Sequence, residues 1–244
     1  MTASNASGRG QSVNELLNTA VQVFRATLLK CLPFGMVALL CVEVPNLYWL
    51  WAGHGMPATL PTDTDYWVLM FISGAIAIYI FSAMMLRQLY VSGGFAVNAG
   101  QELKLAARRL PSVLAAWVLM QLSLAIGVLL VIPAIFLFIC YLVLLPVILL
   151  EGQMNPALAL WRCVVLVRPH WWRVCAAFVI ALLAVGICFL TFAALLGILA
   201  TLLAGAGQAF AAIATAASIA ASAMVFVFFS ALALAVHSSA SSSA

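Results

Sequence analysis

Charge is what this sequence has least of. Asp, Glu, Lys and Arg make up 7% of its 244 residues, against roughly 25% in a soluble domain. A chain so poor in charge, and 67% apolar, cannot cover its surface in water. Lipid is its solvent. Also missing are alternating strands of about 10 residues, from which membrane barrels are built. The apolar runs are instead continuous and about 20 residues long, the length a helix needs to cross a bilayer. The expected fold class is therefore all-α: a polytopic membrane protein with six transmembrane helices. Amphipathic cytoplasmic interfacial helices are expected before spans 1, 3 and 5.

Other absences narrow the chemistry. The cysteines (Cys31, Cys41, Cys140, Cys163, Cys175 and Cys188) fall in or beside apolar runs and form no CxxC pair. They read as small apolar residues of helix interfaces, not as a disulfide or metal framework. No pair of His, Asp, Glu or Cys has metal-ligand spacing. No motif for nucleophilic catalysis accompanies Ser or His. No catalytic residue, metal or cofactor is expected, and the chain does not read as an enzyme. The net charge of +4 gives no ground for a nucleic-acid partner, because its placement matters more than its total. Residues 1–11 have no apolar core, so they are not a signal peptide. They are expected to form a disordered cytoplasmic tail. Residues 237–244, HSSASSSA, read as a polar C-terminal tail, which leaves 12–236 as one membrane domain.

Within that domain, residues 12–30 show helical periodicity. Leu16, Leu17, Ala20, Val21, Phe24 and Leu28 share a face, as in a helix lying on a membrane surface. Ser12 and Glu15 have the spacing of a capping box. Span 1 covers about 31–51 and ends in Tyr48, Trp49 and Trp51, an interfacial aromatic cluster. Span 2 runs from about 66 to Arg87. A second amphipathic segment, 97–110, leads into span 3 at 111–131. Ile132-Pro133-Ala134 breaks the chain before span 4 at 134–150. Spans 3 and 4 reach roughly 31 and 26 Å at about 1.5 Å per residue. They cross the bilayer, or form a re-entrant hairpin. A third amphipathic segment, 153–170, precedes span 5, which starts near Trp171 and extends to Leu203, longer than one crossing needs. Gly205-Ala206-Gly207 separates it from span 6 at 209–236. Span 6 is rich in small residues, which suits a central position or a subunit contact.

The ten basic residues are Arg9, Arg25, Lys30, Arg87, Lys104, Arg108, Arg109, Arg162, Arg168 and Arg173. With six spans all of them fall on one side, and the other side holds His54, Asp63 and Asp65. The positive-inside rule places both termini in the cytoplasm. A weak repeat accompanies this pattern. FRATLLKCLP, LKLAARRLP and WRCVVLVRP each lead through a proline (Pro33, Pro111, Pro169) into a span pair, as parallel repeats do in some transporters.

The stretch from Gly127 to Arg173 carries a more specific pattern. Gly127 is followed by Ile132-Pro133-Ala134-Ile135, Pro146, Glu151, Ala159-Leu160 with Cys163, Leu166, and Arg168 through Trp172-Arg173. This resembles the membrane domain attached to some bacterial glycerophosphodiester phosphodiesterases, which also occurs in stand-alone inner-membrane proteins. Ala134 replaces the usual glycine and Cys163 a common serine. The resemblance implies a six-helix inner-membrane protein. It implies no phosphodiesterase activity, since that chemistry belongs to a separate soluble barrel.

Candidate site residues follow from charge in or near lipid. Glu43 is the acidic residue well inside a span, where a charge invites an ion- or proton-coupling reading. Its plain reading is a carboxylate near the outer interface, just before Pro45. Glu151 and Arg162 read as a structural ion pair. Arg108, Arg109, Arg168 and Arg173, with Trp171 and Trp172, form a basic and aromatic belt suited to lipid headgroups. His170 reads as interfacial. The expected function is a non-enzymatic inner-membrane protein that contacts anionic phospholipid or acts as a scaffold in membrane homeostasis. The alternative is a small transporter or channel coupled through Glu43.

Overall fold

In lipid a backbone amide has no water to bond, so an apolar chain satisfies itself by forming helices. The computed structural model describes residues 12–51, 63–95, 98–128, 131–202 and 207–241. The elements are α1 (Val13–Trp51), α2 (Thr64–Ser92), α3 (Ala99–Val128), α4 (Ile132–Tyr141), α5 (Leu144–Leu150), α6 (Pro156–Val167), a 3-10 turn (Arg168–His170), α7 (Trp171–Leu202) and α8 (Gly207–Ser241). Among the described residues there is no strand. Six helical stretches among them are long and apolar enough to cross a membrane. The protein is an all-α, multi-pass membrane protein.

Helix starts follow local chemistry. Ser12 N–H donates to Glu15 Oε2 at 2.7 Å, and Glu15 N–H donates to Ser12 Oγ at 3.3 Å. This is the reciprocal capping box. Asp63 caps α2. Asn155 Oδ1 accepts from the amides of Ala157 and Leu158, and Pro156 opens α6, where its missing N–H costs nothing.

The amphipathic segments before spans 1 and 3 are not separate helices. α1 runs unbroken through Pro33 and Pro45, and α3 through Pro111. An interior proline removes one hydrogen bond, yet without competing water the other helical bonds carry the chain on. At 39 residues, α1 is about 58 Å long at 1.5 Å per residue, well beyond a hydrocarbon core of about 30 Å. Only the third segment is set apart, by the 3-10 turn at Pro169. Span 4 is interrupted between α4 and α5 at Leu142-Val143. The cause is Pro146, whose ring crowds the carbonyl of Leu142 and leaves it without its helical donor.

The C-terminal end differs from expectation. α8 continues to Ser241, so His237 is helical and buried, not part of a polar tail. The serines fit a helix because their hydroxyls bond back to it: Ser238 Oγ donates to Ala235 O at 2.9 Å and Ser241 Oγ to Ser238 O at 3.1 Å. The tail expected at 1–11 lies outside the described residues.

Contacts divide the chain into two units. The first holds the described parts of Met1–Arg25, Pro111–Gly186 and Phe228–Ala244. Its core is α5 (Leu144, Val147, Ile148, Leu149) with Leu232 and Val236 of α8 and Cys163, Leu166 and Val167 of α6. Both α4 and α5 pack on α6. Where α3 meets α4, a Cβ on Gly127 would lie 3.2 Å from Ala134 Cα. The glycine permits that tight hairpin.

The second unit is Ala26–Leu110 with Ile187–Val227. Its core is Ala83, Met84, Met85 and Leu86 of α2, Cys31 and Ala38 of α1, and Ala223 and Val227 of α8. A Cβ on Gly35 would lie 3.3 Å from Ala223 O and 3.4 Å from its Cβ. Close approach of this kind is how helices gain packing energy in lipid. Gly35→Leu is expected to separate α1 from α8 and destabilise the protein by about 1–3 kcal/mol. Thermal unfolding in detergent, followed by circular dichroism, checks this. An unchanged midpoint would refute it.

Candidate functional site

The junction between α6 and α7 gathers most of the expected headgroup residues. Arg168 is the last residue of α6's capping turn, and Pro169 forces the chain into a 3-10 turn. That turn leaves Arg168 exposed and brings Trp171, Trp172 and Arg173 into the first turn of α7. Trp171 Nε1–H donates to Phe136 O at 3.4 Å, and its ring lies 5.7 Å from that of Phe136. This anchors the junction to α4. Trp172 stacks edge-on against Trp171 at 4.6 Å and is 78% exposed. Arg173 is exposed. Arg168, Trp171, Trp172 and Arg173 therefore form one cluster in the first unit. Arg108 (exposed) and Arg109 (half-buried) lie on α3 in the second unit.

Glu151 sits beside this junction in sequence and ends α5. Gly152 follows at φ +72°, a left-handed conformation glycine adopts without strain, and turns the chain back toward α6. Arg162 Nε–H then donates to Glu151 Oε2 at 3.0 Å. The carboxylate's other oxygen, Oε1, lies 3.1 Å from His237 Nε2. One carboxylate thus ties α5, α6 and α8 together. The His237 contact was not legible in the sequence, where a lone histidine before serines looks like the start of a tail.

Glu43 is exposed on α1. Its Oε2 accepts from Asn46 Nδ2 at 3.0 Å, and Asn46 Oδ1 accepts from Tyr66 O–H at 3.4 Å. Tyr66 meets Trp49 at 5.6 Å and Trp67 at 5.9 Å, both edge-on. Glu43 thus belongs to a polar and aromatic group joining the end of α1 to the start of α2. Its carboxylate is not enclosed between helices.

The buried charge lies elsewhere. Arg87 Nε is 3.1 Å from Glu102 Oε2, with the Glu102 side chain 0% and the Arg87 side chain 17% exposed. By sequence Arg87 falls at a span end and Glu102 in the amphipathic segment 97–110. Because α3 is continuous, Glu102 instead lies in its first turn, itself buried while Ala99, Gly100 and Gln101 are exposed, and there the helix dipole favours a carboxylate. Arg87 also donates from Nη1 to Lys30 O at 3.3 Å and lies 4.6 Å from the Phe34 ring centre. The Arg87 Nε–H does not point at the carboxylate, so the contact is one of charge. Among the described residues neither Glu102 oxygen accepts a hydrogen bond. Next to this pair, Gln88 Nε2 donates to Val227 O at 2.8 Å and faces Thr27 Oγ1 at 3.5 Å. Tyr79 O–H donates to Leu103 O at 3.2 Å. A polar layer thus joins α1, α2, α3 and α8 within the second unit. The adjacent Arg87-Gln88 after a long apolar run was the available signal.

Among the described residues no group of three or more His, Cys, Asp or Glu side chains could hold a metal ion. No family model matches the chain, and no curated protein or solved structure does. The resemblance over Gly127–Arg173 rests on its motif residues alone.

Arg87→Met or Glu102→Leu leaves one buried charge uncompensated and is expected to cost about 3–5 kcal/mol. The double substitution is expected to recover most of that loss, because it removes both desolvated charges. Denaturant unfolding of all four proteins in micelles measures the cycle. Additive losses would refute the coupling.

Proposed function

We propose that this is a non-catalytic protein of a bacterial inner membrane that binds anionic phospholipid headgroups at the cytoplasmic leaflet. It serves there as a scaffold in membrane homeostasis, and both of its termini are cytoplasmic. The observation that carries this reading is the α6–α7 junction. Arg168, Trp172 and Arg173 are exposed together there, and the Trp171–Phe136 contact anchors them. Each basic side chain near an anionic leaflet adds about 1 kcal/mol of attraction, and tryptophan prefers headgroup depth. The one-sided distribution of all ten Lys and Arg residues supports the cytoplasmic placement. A transporter coupled through Glu43 would need that carboxylate between helices, whereas it is exposed beside Asn46.

Native mass spectrometry of the purified protein tests this. The wild type is expected to retain an anionic phospholipid, and Arg168→Gln with Arg173→Gln to retain about thirtyfold less, for two lost attractions of about 1 kcal/mol each. Equal retention by both proteins would overturn the assignment. Alkaline phosphatase fused after Ala244 is expected to be inactive, and active when inserted between Trp51 and Asp63. The reverse pattern would invert the orientation.

A further inference from the structure

We infer that α6 lies in the plane of the cytoplasmic leaflet, with its outward apolar face inserted at the boundary between headgroups and acyl chains. The inference rests on the headgroup reading above for the choice of leaflet, and it adds a surface that acts without charge.

α6 is apolar on both sides. Ala159, Cys163, Leu166 and Val167 are buried, on the side where α4 and α5 pack. Leu158, Trp161 and Val165 lie away from them, within about 60° of one another on a helix of 3.6 residues per turn. All three are exposed. Arg162 is the helix's charged residue, and Glu151 holds it at 3.0 Å. A helix whose outer side faces water carries polar residues there. This one carries a leucine, a tryptophan and a valine, and exposed Arg168 ends the stripe.

Contacts along its length set its direction. Arg162 reaches His237, near the end of α8, through Glu151. His170, eight positions on, lines a small cavity with Val236 and Ser239, again near the end of α8. Were α6 parallel to α8, eight positions would climb about 12 Å, some two turns. Both contacts instead meet the same last turns of α8, so α6 runs across them. α8 is one of the helices long and apolar enough to cross the membrane, and a helix lying across a crossing helix lies along the membrane surface. Nor is α6 needed for a crossing. α7 alone has 32 residues, about 48 Å at 1.5 Å per residue, against a hydrocarbon core of about 30 Å.

Lipid is the occupant that fits the outward face. The face continues into the exposed Val179 and Ile180 of α7, itself long and apolar enough to cross. Trp161, Trp172 and Arg168 are residue types that settle at headgroup depth, with leucine and valine between them reaching further in.

Nitroxide labels test this in the full-length protein, reconstituted in phosphatidylcholine vesicles with and without phosphatidylglycerol. Leu158→Cys, Trp161→Cys and Val165→Cys are labelled one at a time, with the unburied Cys41, Cys175 and Cys188 changed to alanine. Depth is read from relaxation by oxygen against a water-soluble nickel complex. The three labels are expected to agree within about 3 Å, at about 5–10 Å below the headgroup surface, in both kinds of vesicle. A step of about 10 Å between positions 158 and 165, as in a helix along the membrane normal, overturns the inference. So do three labels open to nickel. With the native cysteines kept, Trp161→Phe is expected to lower the share of tryptophan fluorescence that phosphatidylcholine brominated high on its chains quenches. An unchanged share also overturns it. The headgroup reading is judged apart from this, by lipid retention in the Arg168→Gln, Arg173→Gln protein. Equal depths with unchanged retention uphold the insertion and refute the headgroup site. A depth step with lowered retention does the reverse.

Discussion

Lipid offers no hydrogen bonds, so every polar group taken into it must find its partner inside the chain. Much of this structure follows from that one constraint. It explains why α1 and α3 run through interior prolines without breaking. It also explains why Gln88, fully buried, reaches the Val227 carbonyl.

The acidic residues illustrate how strongly surroundings decide a role. Glu151 ends a helix and shares its oxygens between Arg162 and His237. It is partly exposed, so water relieves part of its charge. Glu102 is closed off completely and faces Arg87 at 3.1 Å with no hydrogen bond among the described residues to support the contact. Charge neutralisation there is structural: Arg87 also reaches the Lys30 carbonyl and the Phe34 ring. The second unit is thus knit by a buried polar layer, while the first is knit by an aliphatic core with the Glu151 contacts to Arg162 and His237 at its rim. Glu43 stands apart from both arrangements, held by Asn46 three residues along the same helix.

The basic junction gains its character from a backbone break. In one straight helix Arg168 and Trp172, four positions apart, would share a face, with Arg173 about 100° away from Trp172. Pro169 and the 3-10 turn reorient the chain between them, and Trp171 locks the result to α4. The same turn brings His170 and Arg173 to the cavity they share with Leu16 and Ser239. The exposed basic and aromatic cluster and the anchoring of these helix ends are therefore properties of one place.

Sequence alone determined the solvent, the all-helical class, the count of crossings and several helix starts. These depend on composition, on runs of about 20 apolar residues and on side chains a few positions apart, such as Ser12 with Glu15. The Glu151–Arg162 pairing was legible for a similar reason, since one turn and a short helix separate them. Tertiary structure decided what lies far apart in the chain. Arg87 meets Glu102 only because α3 starts where its first turn faces α2, and His237 meets Glu151 across 86 positions. Continuity of α1 and α3 through their prolines was equally hidden. An amphipathic pattern specifies which face is apolar, but not whether lipid or another helix covers it, and only packing settles that choice.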